Sequence, residues 1–325
     1  MTYISFNNNK SAAASFAAEE YLLKNPLFQD EYFMFWNTVP TLMIGRFQNT
    51  IEEINLDFAK HKKMDVIRRN SGGGTIYTDE NTWQFSFITW KENNQVKDFR
   101  EFTKPVIQAL ENLGVAATFS GRNDLLLGDK KFSGNAQFSY KNRFLHHGSI
   151  LFNAHIEDLV KSISPDNQKI ISKGIKSVKE RVVNLKKFLK NSQMTTKDFK
   201  NEMLKFLKKD MPILEFSEKD MQEILKIQEK KFNTWDWNFG KSPEFSISKS
   251  QKFTGGKVEV LLNVKNGFII DCRFNGDFFF NGDIDKFQQK FIGLKYNAND
   301  VAAVLHHSEN YFQSIDVDKI LELFC

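Results

Sequence analysis

Arg68-Arg69-Asn70-Ser71-Gly72-Gly73-Gly74-Thr75 places three consecutive glycines beside two arginines. Without Cβ atoms the backbone can approach a ligand closely, and its N–H groups can point at an anion or a carbonyl. The arginines add fixed positive charge. The segment lacks the Gly-Lys-Ser/Thr ending of a Walker loop, and alone a triple glycine is more often a flexible turn. Further polar segments follow: Gly121-Arg122-Asn123-Asp124, then Lys130-Lys131-Phe132-Ser133-Gly134-Asn135-Ala136, then His146-His147-Gly148. Adjacent side chains of a strand point to opposite faces. The two histidines are therefore not expected to share a metal, and no carboxylate or cysteine stands at ligand spacing from them. The last segment is Lys173-Gly174-Ile175-Lys176-Ser177-Val178, with Arg181, Val182 and Asn184 close behind.

The elements that must position these groups follow from the pattern around them. Ser11 is a candidate N-cap for the alanine-rich run AAASFAAEEYLLK, which Pro26 ends. EYFMFW and TLMIGRF read as strands separated by NTVP. A short helix is expected over 52–61. DVIRR then enters the glycines as a strand, and TWQFSFITW alternates as another. Residues 98–113 read as a helix stopped by Gly114, followed by strands to about Asn153. The pattern over 156–231 is charged and helical. KVEVLLNVK and FIIDCRFNG flank Asn266-Gly267, a hairpin signal. The expected class is α+β, with a large mixed-sheet domain over 1–247 and a small α+β domain over 248–325. KSPEFSISKS reads as the link between them.

Composition sets the outer limits. With 325 residues and 41% hydrophobic content the chain can bury a sizeable core. Many of the 33 phenylalanines are expected to fill places where leucine or isoleucine would otherwise sit. A net charge of +5 does not by itself suggest nucleic acid. Between 161 and 209, however, fourteen Lys/Arg stand against four Asp/Glu, a local balance of +10. That strip would face phosphates or an acidic protein, or simply water. Cys272 and Cys325 form no disulfide framework. No long apolar run occurs, so a soluble, cytoplasmic protein with no membrane partner is expected.

In the order RRNSGGG, GRND, KFSGNA, HHG and KGIKSV, with GRFQN at 45–49 and WDWNFGKSPEF at 235–245, the segments resemble the lipoate–protein ligase family. The resemblance spans nearly the whole chain. Where the family usually has His-Asp and then Gly-Asn after the glycine loop, this chain has Thr78-Asp79 and then Glu80-Asn81.

The resemblance implies the fold shared by biotin and lipoate ligases. It also implies activation of lipoate by ATP to lipoyl-AMP, then transfer to a carrier lysine. Such carriers are the lipoyl domain of a 2-oxoacid dehydrogenase subunit or the glycine cleavage H protein. Lys131 would be the catalytic lysine that bridges the acyl carboxylate and the α-phosphate. Arg69, Ser71, Gly72, Gly73 and Gly74 would line the acyl tunnel or meet the adenylate phosphate. Thr75 and Ile76 would face the adenine, and Ser133 and Gly134 would complete the lysine segment. Asn123 and Asp124 would serve the nucleotide, Asp124 through Mg²⁺. His147 and Gly148 would border the acyl chain, and Lys173 and Ser177 would fold over the adenylate. Competing readings are an ATP-independent octanoyl or lipoyl transferase, a non-catalytic lipoate-binding protein, and a nucleic-acid binder using the basic strip. Both cysteines lie far from the glycine loop, against a thiol-dependent transferase, and no nucleic-acid motif is present.

Overall fold

The computed structural model describes residues 1–6, 9–48, 50–91, 98–121, 123–163, 181–239, 247–265, 267–307 and 311–324. Lys173, Ser177 and Arg122 lie outside them. The strands are β1 (Thr2–Ile4), β2 (Tyr32–Trp36), β3 (Thr41–Ile44), β4 (Asp65–Arg68), β5 (Ile76–Thr78), β6 (Thr82–Trp90) and β7 (Ala117–Ser120). They continue with β8 (Asp124–Leu127), β9 (Lys130–Tyr140), β10 (Arg143–Leu151), β11 (Ile213–Leu214), β12 (Ile247–Phe253), β13 (Gly256–Lys265) and β14 (Phe268–Gly276). The helices are α1 (Ala12–Lys24), α2 (Thr50–Glu53), α3 (Leu56–His61), α4 (Phe99–Asn112), α5 (Ile156–Ile163) and α6 (Thr196–Leu207). After them come α7 (Glu218–Ile227), α8 (Trp235–Asn238), α9 (Ile284–Gln289), α10 (Ala298–His306) and α11 (Val317–Leu321).

An eight-stranded sheet, ordered β11-β1-β2-β6-β10-β9-β8-β7, forms the body of the large domain. Its β11/β1 and β1/β2 pairs are parallel and β2/β6, β6/β10 and β10/β9 are antiparallel, so the sheet is mixed. Strand alternation sorts its side chains onto two faces. Phe33, Phe35, Phe85, Phe87 and Phe144 face α4, where Phe102 stacks near Phe144 at 5.7 Å. Tyr32, Met34, Trp36, Ile88 and Leu145 share the other core with α1. Ser11 caps α1 by accepting from the Ala14 N–H at 3.2 Å. Its alanines let the helix sit close to the sheet, with Phe16 edge-on to Trp36 at 5.6 Å. Helix α4 is capped by Asp98, which accepts from Arg100 N–H at 2.9 Å, and it ends before Gly114 at φ +93°.

A smaller sheet, β4-β3-β5, flanks the glycine segment, and β12-β13-β14 is the antiparallel sheet of the small domain. The small domain has a phenylalanine core in which Phe274 lies 5.3 Å from Phe287 and 5.6 Å from Phe312. Several contacts join it to the large domain. Phe47 stacks on Phe278 at 4.7 Å, and Gly276 N–H donates to Phe47 O at 2.7 Å. Arg46 Nη2 pairs with Asp285 Oδ2 at 3.0 Å.

Three sequence expectations change. The helix expected over 52–61 is two helices, because Asn55 accepts from Phe58 N–H at 2.9 Å and starts a new N-terminus there. The charged stretch over 156–231 contains a strand, β11, whose pairing with β1 lies far away in sequence. The ISKS part of the expected link is edge strand: Ile247 pairs with Leu262 and Ser250 with Glu259. Among the described residues no helix is long and apolar enough to cross a membrane.

Candidate active site at the glycine loop

The chain from β4 to β5 wraps around the guanidinium of Arg69. Nη1 donates to Met43 O at 2.9 Å, and Nη2 donates to Gly72 O at 2.7 Å and Gly74 O at 2.8 Å. Nε donates to Ser71 Oγ at 3.1 Å. A buried charge is costly unless it is hydrogen-bonded, and these acceptors satisfy it. Burial, followed by the neighbouring Arg68 charge, brings its pKa down to about 9, so it stays cationic at neutral pH. Arg68 has a different job. It ties Gly45 O at 2.8 Å, Gln48 O at 2.7 Å and Trp237 O at 2.9 Å, pinning α8 beneath the loop.

The glycines answer to separate neighbours. An added Cβ on Gly72 would overlap the Phe278 carbonyl of the small domain. That glycine therefore serves domain contact. Gly73 adopts φ +88°, which suits glycine alone. A Cβ on Gly148 would overlap Asn135 Oδ1 and the Phe85 ring.

Between the loop and the main sheet lies a cavity of 130 Å³. From the glycine segment Arg69, Gly73, Gly74, Thr75 and Ile76 line it. From around β8–β10 come Asn123, Lys131, Gly134, His147 and Gly148. Phe16, Trp36, Met43 and Ala136 supply the apolar wall. Lys131 Nζ pairs with Asp124 Oδ1 at 2.8 Å, with both side chains about one third exposed. A Cβ on Gly134 would sit 3.1 Å from that Nζ, so the glycine leaves room for the lysine to cross the strand. The arrangement puts one accessible ammonium on the wall of a largely apolar cavity, which suits an acid with an apolar tail.

Other expected residues lie beside the cavity. Ser71 and Ser133 are each 1% exposed and are not on its wall. Asn123 Nδ2 donates to Asn135 O at 2.6 Å, and Asn135 Nδ2 returns the bond to Asn123 O at 2.9 Å. That reciprocal pair spends much of the Asn123 amide on joining strands. The histidines diverge as strand geometry requires. His147 faces α1. His146 packs at 4.6 Å from the Phe102 ring, and burial holds its pKa well below the usual histidine range, with His147 adding to the shift.

Sequence reasoning missed Glu19, Ser86, Trp36 and Gln48. Gln48 Oε1 accepts from Gly45 N–H and Thr75 Oγ1, both at 2.9 Å, and so braces both ends of the loop. Glu19 is 1% exposed and accepts from Ser86 Oγ at 2.6 Å. The signal available for Glu19 was a carboxylate on the buried side of an alanine-rich helix.

These features define a two-domain α+β protein whose larger domain carries a partly apolar cavity with a lysine on its wall. Residues 11–208 match the family described as "Lipoyl protein ligase A/B catalytic domain", and residues 242–324 match "Bacterial lipoate protein ligase C-terminus". The chain is 38% identical to lipoate-protein ligase LplJ of Bacillus subtilis over 330 residues, covering 99% of each. It is 36% identical to lipoate–protein ligase 1 of Staphylococcus aureus over 327 residues, again covering 99% of each. The crystal structure of Plasmodium falciparum LipL1 in complex with lipoate superposes with a TM-score of 0.80 at 26% identity, covering 99% of this chain and 98% of that one. The chain belongs to the lipoate–protein ligase family and is a ligase.

Proposed function

We propose that the chain joins lipoate to a carrier lysine in two half-reactions. In the first, a lipoate carboxylate oxygen attacks the α-phosphorus of ATP, the α–β bridging P–O bond breaks and pyrophosphate leaves. In the second, the neutral amine of the carrier lysine attacks the acyl carbon, a C–N bond forms and AMP leaves. The observation that carries this reading is Lys131 Nζ on the cavity wall, held by Asp124 at 2.8 Å. A carboxylate and a phosphate repel one another. An ammonium between them offsets that repulsion where water is partly excluded. Asp124 orients the ammonium until the substrates take over its contacts. Arg69 holds the glycine loop around the site through the Gly72 and Gly74 carbonyls. The acyl tail would occupy the Phe16, Trp36, Met43 and Ala136 wall.

Magnesium usually takes one or two carboxylates with substrate phosphates and waters. Asp124 fits that demand, because its Oδ1 has no hydrogen-bond donor among the described residues beyond the Lys131 ion pair. The ion would neutralise charge on the leaving pyrophosphate. The acceptor is a lipoate-accepting carrier domain, and the reaction calls for the ATP supply of the cytoplasm. Cys272 does not favour a thiol-dependent transferase: it is buried in the small-domain core, and burial pushes its thiol up, away from thiolate. The test is ATP–pyrophosphate exchange dependent on added lipoate. Exchange is expected; its absence, with carrier acylated from another acyl carrier instead, would turn the reading to a transferase.

A further inference from the structure

Behind the cavity a single buried chain of hydrogen bonds runs from β2 to the glycine loop. Trp36 Nε1–H donates to Ser86 Oγ at 3.0 Å, and Ser86 donates to Glu19 Oε1 at 2.6 Å. His147 Nδ1 lies 3.2 Å from both Glu19 oxygens, and His147 Nε2 lies 2.6 Å from Ser71 Oγ. Arg69 Nε–H donates to Ser71 Oγ at 3.1 Å. One placement of protons gives every donor in this chain an acceptor. An indole N–H and a guanidinium N–H can only donate, and a carboxylate can only accept. Glu19 therefore takes protons from Ser86 and from His147 Nδ1. With its proton on Nδ1, neutral His147 accepts at Nε2, so the Ser71 hydroxyl donates there and accepts from Arg69. A buried carboxylate and a buried guanidinium then balance across a neutral relay.

We propose that Glu19 is a positioning residue of the acyl site, acting through His147 and Ser71 to hold the cavity wall and the glycine loop in register. Glu19 does not line the cavity; His147 and Arg69 do. Replacing the carboxylate reverses the relay's polarity. A glutamine amide would donate to Nδ1, moving the imidazole proton to Nε2. Ser71 Oγ would then face donors from both His147 and Arg69, and its own proton would lose its acceptor. The order Ser71–His147–Glu19 is also that of a hydrolytic triad. Ser71 is 1% exposed, is absent from the cavity wall and has its oxygen held by Arg69, so positioning is favoured over nucleophilic attack.

The inference rests on the lipoate-binding reading of this cavity, and its test separates the two. Histidine-selective ¹⁵N NMR of the full chain reads the His147 tautomer without ATP, carrier or turnover. Wild type should show Nδ1 protonated and Nε2 bare; Glu19→Gln should exchange the two shifts, while His146 stays as it was. In lipoate-dependent exchange, Glu19→Gln should raise KM for lipoate roughly 10–100-fold, the span of a charged hydrogen bond, with kcat within a few-fold. Glu19→Asp should recover part of that loss. Should Glu19→Gln fail to fold, Ser86→Ala removes one donor to Glu19 and should move KM in the same direction by less. An unshifted His147 in Glu19→Gln, or a lowered kcat with unchanged KM, would overturn the assignment. So would a lipoyl adduct on Ser71 in mass spectra of the intact enzyme. Loss of exchange in wild type with the tautomer as expected would instead count against the ligase reading alone.

Discussion

In the large domain α1 and the main sheet enclose Glu19, Ser86, His147 and Arg69, each with hydrogen-bonding partners. The small domain fills the equivalent space with rings: Phe274 alone approaches Phe287, Phe291, Phe312 and Phe324 within 5.9 Å. The two cores solve different problems. Aromatic burial stabilises without geometric precision beyond packing. Buried polar groups contribute little net stability but fix orientation, and losing one partner strands the others. The polar core surrounds the cavity, and the aromatic core backs the Phe278 face that docks on Gly72.

The largest expected effect breaks the aromatic side of this contrast. Phe274→Ala should destabilise the small domain by about 3–5 kcal/mol. Calorimetry should show the loss in a small-domain transition, while lipoate binding by the large domain persists. If lipoate binding fell equally, the cores would be one cooperative unit.

Next is Lys131→Ala, with an expected loss of about 10²–10³ in lipoate-dependent exchange and wild-type circular dichroism. Lys130, which does not line the cavity, is the control, and Lys130→Ala should be much milder. Exchange within a few-fold of wild type in Lys131→Ala would remove the lysine from the chemistry.

Gly72→Ala tests the junction. Its Cβ would overlap the Phe278 carbonyl, and overpacking of this kind costs about 1–3 kcal/mol. The domains should separate more readily, seen as faster hydrogen exchange over 276–281 with the large-domain core unchanged. Uniform protection in the mutant would mean that the backbone yields locally.

A smaller effect concerns pH. His146 is buried among Phe85, Phe99 and Phe102, and burial depresses its pKa in the folded state. Below about 6.5, the ordinary histidine value, the unfolded chain binds a proton that the folded chain refuses. Stability therefore falls as pH drops from there, by up to about 1.4 kcal/mol per pH unit. Denaturant titrations of His146→Gln should show a flatter acid limb; an unchanged slope would assign the acid loss to other groups.

The smallest effect lies outside both cores. Lys187 and the partly buried Lys186 belong to the basic strip, the first half of which lies largely outside the described residues. Lys190 is less suited to the test, since its Nζ donates to Asn112 O at 3.2 Å and its Cγ packs under Gly114. Lys186→Glu with Lys187→Glu should raise KM for carrier a few-fold at low salt and leave KM for lipoate alone. Unchanged carrier kinetics would make this an ordinary solvated face.

Much of the fold was legible because its signals are local. Ser11 caps the helix that follows it, Gly114 ends α4, alternation marks β6, and the Asn266-Gly267 turn signal marks off β14. β11 and β12 were not read as strands. One is two residues long, and the other is a polar edge with little alternation to detect. At the site, glycine spacing and the KFSGNA segment singled out several of the residues that line the cavity, but not Phe16, Trp36 or Met43. Ser71, Gly72 and Ser133 stand behind or beside the wall, which spacing alone does not distinguish.

By itself the sequence determined that Lys131 and His147 sit on strands and face away from their neighbours Lys130 and His146, because period-two alternation follows from backbone geometry. It also determined where the chain must turn without a Cβ, since Gly73 and Gly114 need positive φ. Only the tertiary structure decided what those groups meet. Glu19 reaches His147 across 128 residues, Arg68 reaches Asn238 across 170, and Gly72 answers to a carbonyl of the other domain. Such contacts leave no periodic trace in the chain. They exist because packing two sheets and their helices closes a low-dielectric space, where each buried charge must find a partner wherever the fold brings one.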